Sequence, residues 1–458
     1  MNTLAQQLAT YTADLTLGQV PATTRARAKL LILDAIGAAL AAASFDFGKR
    51  AVEGLATLDS GDAQVFGLAQ KLSVRDAVLV NGILTHGLDF DDTSISARVH
   101  AGACCTPTAL TLAAAFNCNG AQTLTAWIAG MECAMRIGAV AKGGFKDAGF
   151  YPIGVAGVFA ASLIAGRLMN LNAAQLANAQ GVAYSTASGN GEYAEEMAWT
   201  KRMHPGWAGV GGVTAALLAK GGYVGPTLPY EGQNGLYRAY LGEHKGRADI
   251  TLATKGLNSE WEIDKVAFKP MPACYFSIAS IDAACALHHA HGLNASNIAN
   301  VRILLPKGAL ESVALPAGIR RKPVDTYAAV FSAYYGVAVG LARGRYGLSD
   351  LEPAALADKE VLSLIERSDY EIDPHTTFPK FYSGAVRVTT TDGRTFEQRE
   401  DIHRGSPEKP LSESDIVAKF MDNAARSVSR VKAEQVRDAV LNLETVNNIK
   451  TITGWLAP

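Results

Sequence analysis

A chain of 458 residues exceeds the size at which a single hydrophobic core keeps growing, so two domains are expected. Apolar residues make up 48% and charged residues 19%, which excludes a disordered chain. Lys and Arg number 42 against 43 Asp and Glu, so no overall field exists to hold a nucleic acid or an anionic membrane, and any anion site has to be local.

The N-terminal segment MNTLAQQLATYTADLT lacks a basic stretch followed by an apolar run, and reads as an amphipathic helix rather than a secretory signal. As far as about Gly222 the pattern is Ala-rich, with apolar residues at helical spacing in 25–42 and 106–116. Over 72–89 a helix is predicted with Ser73 as its cap and Asp76 completing a capping box, so that His86 and Asp89 arrive at its C-terminal end. The stretch IGVAGVFAASLIAG (153–166) falls short of the roughly 20 residues of a bilayer span and reads as a buried core helix.

Near residue 262 the composition changes. NVRILL (300–305) alternates like a strand, and 384–398 reads as two strands around an Asp392-Gly393 turn. After Gly405-Ser406-Pro407 helical spacing returns in 412–421 and 432–443. The expectation is a mainly α protein with an α+β second domain: 1–262 and 403–458 form a large all-helical domain, and 263–402 a smaller α+β lid. Cys104, Cys105, Cys118, Cys133, Cys274 and Cys285 show no C-x-x-C spacing, which argues against a zinc site and a disulfide framework and fits reduced thiols in a cytoplasm.

The densest polar cluster is THGLDFDDT, Thr85 to Thr93, with three carboxylates and a histidine directly after an apolar helix. Crowded carboxylates raise one another's pKa, so they either face water or are tuned for a proton or a ligand. His86 and Asp89, and Asp89 and Thr93, share a helix face if the helix continues that far. For Asp91 and Asp92 the bland alternative is a solvated helix end, favoured for Asp92. His100 opens another Ala-rich helix. WTKRMHPGW sets Lys201, Arg202 and His204 before a Pro-Gly stop, a group that could hold carboxylates and exchange a proton near neutrality, or form an exposed basic turn. VAFKPMPAC places Lys269 and Cys274 around two prolines, where the lysine could clamp an anion.

Taken together, THGLDFDDT with His100, GFYPIG, TKRMHPGWA, AFKPMPAC, FSAYYGVA and HRGSPEKP resemble the MmgE/PrpD family in order and spacing, over about residues 5 to 445. The resemblance implies a large helical domain, a smaller α+β lid, a homodimer, and no metal or organic cofactor. It implies that Asp89, Thr93, His100, Lys201, Lys269 and Tyr335 line a cleft between the domains. Two positions depart from the cis-aconitate decarboxylase pattern, Tyr151 and Cys274, each standing where that enzyme has histidine.

The reactions of such enzymes share a carbanion beside a carboxylate, which cations stabilise. The expected activity is therefore a cofactor-independent, dehydratase-type lyase that abstracts a proton next to a carboxylate of a small di- or tricarboxylic acid. An epimerase, a decarboxylase and a silent carboxylate-binding scaffold are the alternatives, and an aspartate-rich magnesium site at DFDDT is a further one. The roles expected are proton transfer by His100, charge stabilisation by Lys201 and Lys269 with help from Arg202, orientation by Asp89 and Thr93, and hydrogen bonding or proton carriage by Tyr151 and Tyr335. His204 is a second base, with Cys274 and His86 at the substrate.

Overall fold

Small residues let helices approach closely, and the Ala-rich N-terminal half becomes a stack of them. The computed structural model describes residues 2–57 and 61–458. These form two units, one of 2–57, 61–87, 91–268 and 412–458, the other of 88–90 and 269–411.

In the first unit the helices Ala22–Ala43, Val74–His86, Ala101–Ala115, Gly120–Val140, Pro152–Leu168, Ala173–Tyr184 and Thr200–Lys220 pack on one another. Helix Pro152–Leu168 is buried at every position but Arg167, as its apolar run predicts. Among the described residues no single helix is long and apolar enough to cross a membrane. The C-terminal helix Glu413–Ala424 lies along Ala22–Ala43, where Lys419 Nζ meets the buried Asp34 Oδ1 at 2.7 Å.

Two helices that carry candidate residues cross at a pair of glycines. A Cβ on Gly82 would lie 2.4 Å from Gly206 Cα, and one on Gly206 would lie 2.2 Å from the Leu79 carbonyl oxygen. Pro205-Gly206 is thus not a stop, contrary to the sequence reading: helix Thr200–Lys220 runs through it. Proline removes one backbone donor and glycine makes the contact, so tertiary packing overrides the local signal.

Ser73 caps helix Val74–His86 as predicted, its hydroxyl accepting from the Asp76 N–H at 3.4 Å. The helix ends at His86, however, and Asp89 takes a left-handed backbone with φ 49°. The predicted helical face shared by Asp89 and Thr93 therefore does not form.

The second unit is built on a mixed sheet of four strands, β1 (Ile298–Leu305), β2 (Ser368–Ile372), β3 (Gly384–Thr390) and β4 (Thr395–Glu400), in the order β2-β1-β3-β4. β2 runs parallel to β1, while β3 and β4 form the predicted hairpin, with Val388 opposite Phe396. Helices Tyr275–His291 and Ala333–Arg343 pack together, and Tyr275–His291 also covers β3 and β4.

Candidate active site

The chemistry gathers at the end of helix Val74–His86. His86 Nδ1 lies 2.9 Å from Asp91 Oδ2, and its Nε2 lies 2.8 Å from the Tyr151 hydroxyl. The His86 and Asp91 side chains are fully buried. An ionised carboxylate only accepts hydrogen bonds, so in neutral His86 the Nδ1 carries the proton and Nε2 accepts from Tyr151. Asp91, His86 and Tyr151 thus form one continuous hydrogen-bonded chain.

His100 stands at the N-cap of helix Ala101–Ala115 without capping it. Its Nδ1 lies 2.8 Å from the Asp92 carbonyl oxygen, 3.3 Å from Thr93 Oγ1 and 3.7 Å from Asp91 Oδ2. A carbonyl can only accept, so Nδ1 bears the proton and Nε2 of the neutral ring carries the basic lone pair. The His100 and His86 ring centroids are 4.9 Å apart.

The Thr93 main chain is paired in both directions with Ala267, and this fixes the turn that presents the Asp92 carbonyl. Asp92 is not a solvated helix end. It is buried, and its carboxylate accepts from the Gly102 N–H at 3.2 Å, in the first turn of the helix that His100 opens.

Tyr151 sits directly before Pro152, the first residue of its helix, and its N–H donates to the Gly189 carbonyl at 3.0 Å. Its ring is surrounded by His86 at 5.7 Å, His100 at 6.4 Å, Tyr193 at 5.5 Å and His204 at 5.6 Å between centroids. Lys201 Nζ lies 5.5 Å from the centre of the same ring. Lys201 and His204 are buried on helix Thr200–Lys220, so WTKRMHPGW is not an exposed basic turn.

Among the described residues His204 Nδ1 has no hydrogen-bond partner, and burial, then the neighbouring His86 and Lys201, push its pKa down to about 4. It is neutral at physiological pH and a weak base. Arg202, buried as well, is directed elsewhere: its Nε donates to the Gly87 carbonyl at 2.7 Å, and its guanidinium lies over Phe47, 4.0 Å from the ring centre.

In the second unit Lys269 is fully buried, with Nζ 2.9 Å from Asp89 Oδ2 and 2.7 Å from the Asp89 carbonyl oxygen. The left-handed turn at Asp89 presents both oxygens to one ammonium. Tyr335 is buried and donates to the Asp350 carbonyl, and burial raises its pKa above the ordinary tyrosine value. Cys274 is the N-cap residue of helix Tyr275–His291, where its N–H donates to the Val330 carbonyl at 2.9 Å.

The structure therefore joins His86, His100, Thr93, Tyr151, Lys201 and His204 in one cluster of the first unit, and Asp89 and Lys269 in the second. The Tyr335 hydroxyl donates to the Asp350 carbonyl. Asp91 is the residue that sequence reasoning left unassigned, and its signal was weak: a carboxylate five positions after a histidine, beyond a helix end. Donor atoms of His86, Asp91 and His100 lie within 4.8 Å of one another, close enough for a metal ion. Both His86 nitrogens are engaged, so an ion bound there would have to displace the Tyr151 hydroxyl or the Asp91 carboxylate.

The chain has a mainly helical unit that carries a buried imidazole, carboxylate and phenol cluster, and an α+β unit. The chain belongs to the MmgE/PrpD family: residues 6–248 match the MmgE/PrpD N-terminal domain and residues 271–445 the MmgE/PrpD C-terminal domain. It is similar to a human cis-aconitate decarboxylase, 26% identical with 100% of this chain and 95% of the relative covered. It is also similar to a cis-aconitate decarboxylase of Aspergillus terreus, 24% identical over 99% of this chain and 96% of the relative. A cis-aconitate decarboxylase-like protein of Aspergillus oryzae is 23% identical, with 98% and 96% covered.

Proposed function

We propose that this chain is a lyase of dehydratase type, which removes a proton next to a carboxylate of a small di- or tricarboxylic acid. The observation that carries the reading is His100: its Nδ1–H is committed to the Asp92 carbonyl, so the neutral ring offers Nε2 as base. Its side chain is 14% exposed, whereas those of His86 and Asp91 are 0%, so of the three it is the group that a substrate can reach.

A carbanion beside a carboxylate needs nearby positive charge, and Lys201 supplies it in a water-poor setting where a fixed charge acts strongly. Lys269, held by Asp89, is proposed as a second contributor, and Thr93 as an orienting group for His100. Because His204 is a weak base, its proposed role is a neutral hydrogen bond to substrate. Decarboxylation is the second reading, supported by the names of the relatives above; it uses the same carbanion, reached by losing carbon dioxide.

A homodimer is proposed as the working form. Helix Thr200–Lys220 exposes Met203, Trp207 and Leu217 on its outer side, large apolar groups of the kind a second copy would cover. Light scattering would return twice the monomer mass, and a monomer at micromolar concentration would remove this part.

The test of the activity is a proton NMR screen of citrate, cis-aconitate, 2-methylcitrate, malate and aspartate with the enzyme in D₂O. The reading expects deuterium uptake next to a carboxylate together with loss of water. Inertness of all five acids would contradict it.

A further inference from the structure

Elimination of water requires two proton transfers, one from carbon and one to the departing hydroxyl. His100 accounts for the first. We propose that Tyr151 is the catalytic acid for the second, loaded by a proton that the buried Asp91–His86 pair stores. The proposal rests on the dehydratase reading above and assigns the second proton carrier of that reaction.

A phenol ionises at about pH 10, so alone it would be a slow acid near neutrality. Here it ends a relay. The 2.9 Å and 2.8 Å contacts of His86 suit two protonation states. In the unloaded state His86 is neutral and Tyr151 donates to its Nε2. In the loaded state His86 is an imidazolium between Asp91 and Tyr151, its Nε2–H donates to the phenol oxygen, and the phenol hydrogen turns away from His86. Loading turns a buried carboxylate beside a neutral imidazole into a carboxylate–imidazolium pair, so the stored proton cancels the negative charge of Asp91. The assembly follows the logic of a nucleophile, histidine and aspartate triad, with a phenol in the nucleophile's place.

The step balances. His100 Nε2 takes the substrate proton as the C–H bond breaks, and that electron pair becomes the new carbon–carbon double bond. The C–O bond breaks with its pair on oxygen, which takes the Tyr151 proton and leaves as water. The phenol oxygen regains a proton from His86 Nε2. His100 is then protonated and the relay unloaded, and exchange with solvent resets both. While negative charge builds on the phenol oxygen, Lys201 Nζ, 5.5 Å from the ring centre, stabilises it. The other titratable groups facing the ring are His100, Tyr193 and His204, and His204 stays neutral through this step.

His86 and Asp91 act through Tyr151 and are positioning residues. The decisive variant is Tyr151→Phe, which keeps the ring and removes the oxygen. With the hydroxy acid that wild type dehydrates in the screen above, Y151F is expected to lose at least about 100-fold in water loss, the usual share of one acid–base group. Deuterium exchange at the substrate carbon, the work of His100, should stay within about threefold of wild type. Wild-type water loss should fall on the alkaline side as the relay unloads, and Y151F should lack that limb.

Asp91→Asn should move the same limb to lower pH at an unchanged thermal midpoint, which a purely structural role would not do. Should Y151F fail to fold, fluorinated tyrosines at position 151 replace it, and the rate of water loss should change with the acidity of the phenol while deuterium exchange does not. Full water loss in Y151F, equal loss of exchange and elimination, or a rate of water loss indifferent to fluorination overturns the relay. Absence of both exchange and water loss in the wild type would instead sink the dehydratase reading itself.

Discussion

Replacing Lys269 by methionine removes a fully buried ammonium and leaves Asp89, 3% exposed, without the cation that lies 2.9 Å from its carboxylate. Methionine is close in length, so packing is largely kept and the loss is electrostatic. Breaking a buried ion pair from one side costs about 3–5 kcal/mol, because the remaining charge stays desolvated. Both residues belong to the second unit, whose own stability is read from amide hydrogen exchange in helix Tyr275–His291. Where those amides exchange through unfolding of the unit, protection should fall by roughly two to three and a half orders of magnitude. Asp89→Asn tolerates the left-handed backbone and removes the stranded charge, so the double variant should recover most of the loss. A change below about tenfold in K269M, or no recovery in the double variant, would refute the argument that this pair is an uncompensated buried charge once broken.

Gly102→Ala should destabilise by about 1–3 kcal/mol, although alanine normally favours a helix, because its Cβ would fall 2.1 Å from Asp92 Oδ1. Gly54→Ala, with nothing within 4 Å among the described residues, is the control and should raise the melting temperature slightly. Burial, then the nearby Lys409, depress His403 from 6.5 to about 4. The unfolded chain therefore binds the extra proton first, and this contribution to stability, complete above pH 6.5, falls away between 6.5 and about 4, by about 3 kcal/mol in all. His403→Gln should flatten that part of the curve of melting temperature against pH, and an unchanged slope would contradict the assignment. Exhaustive chelation should leave turnover intact, whereas loss restored by magnesium would favour the aspartate-rich metal reading.

Much of the scaffold was legible because periodicity and caps are local signals. Ser73, the buried run of Pro152–Leu168 and the Asp392-Gly393 hairpin all follow from spacing and turn chemistry. The site was legible in its residue types but only partly in its grouping. Tyr151 meets His86 across 65 positions of sequence, and no period reports such a contact. Asp89 and Asp91, two residues apart, take different partners, Lys269 and His86, and the spacing alone does not tell them apart. Arg202 read as a carboxylate ligand beside Lys201, yet neighbours on a helix point to different faces, and its own face meets Phe47 and Gly87.

The central claim is that His100 Nε2 takes the substrate proton, and the most direct measurement is solvent deuterium incorporation by His100→Gln into the acid that wild type labels. The account predicts a folded variant, with the wild-type melting temperature and incorporation lowered at least about 100-fold. Incorporation at the wild-type rate would show that another group is the base.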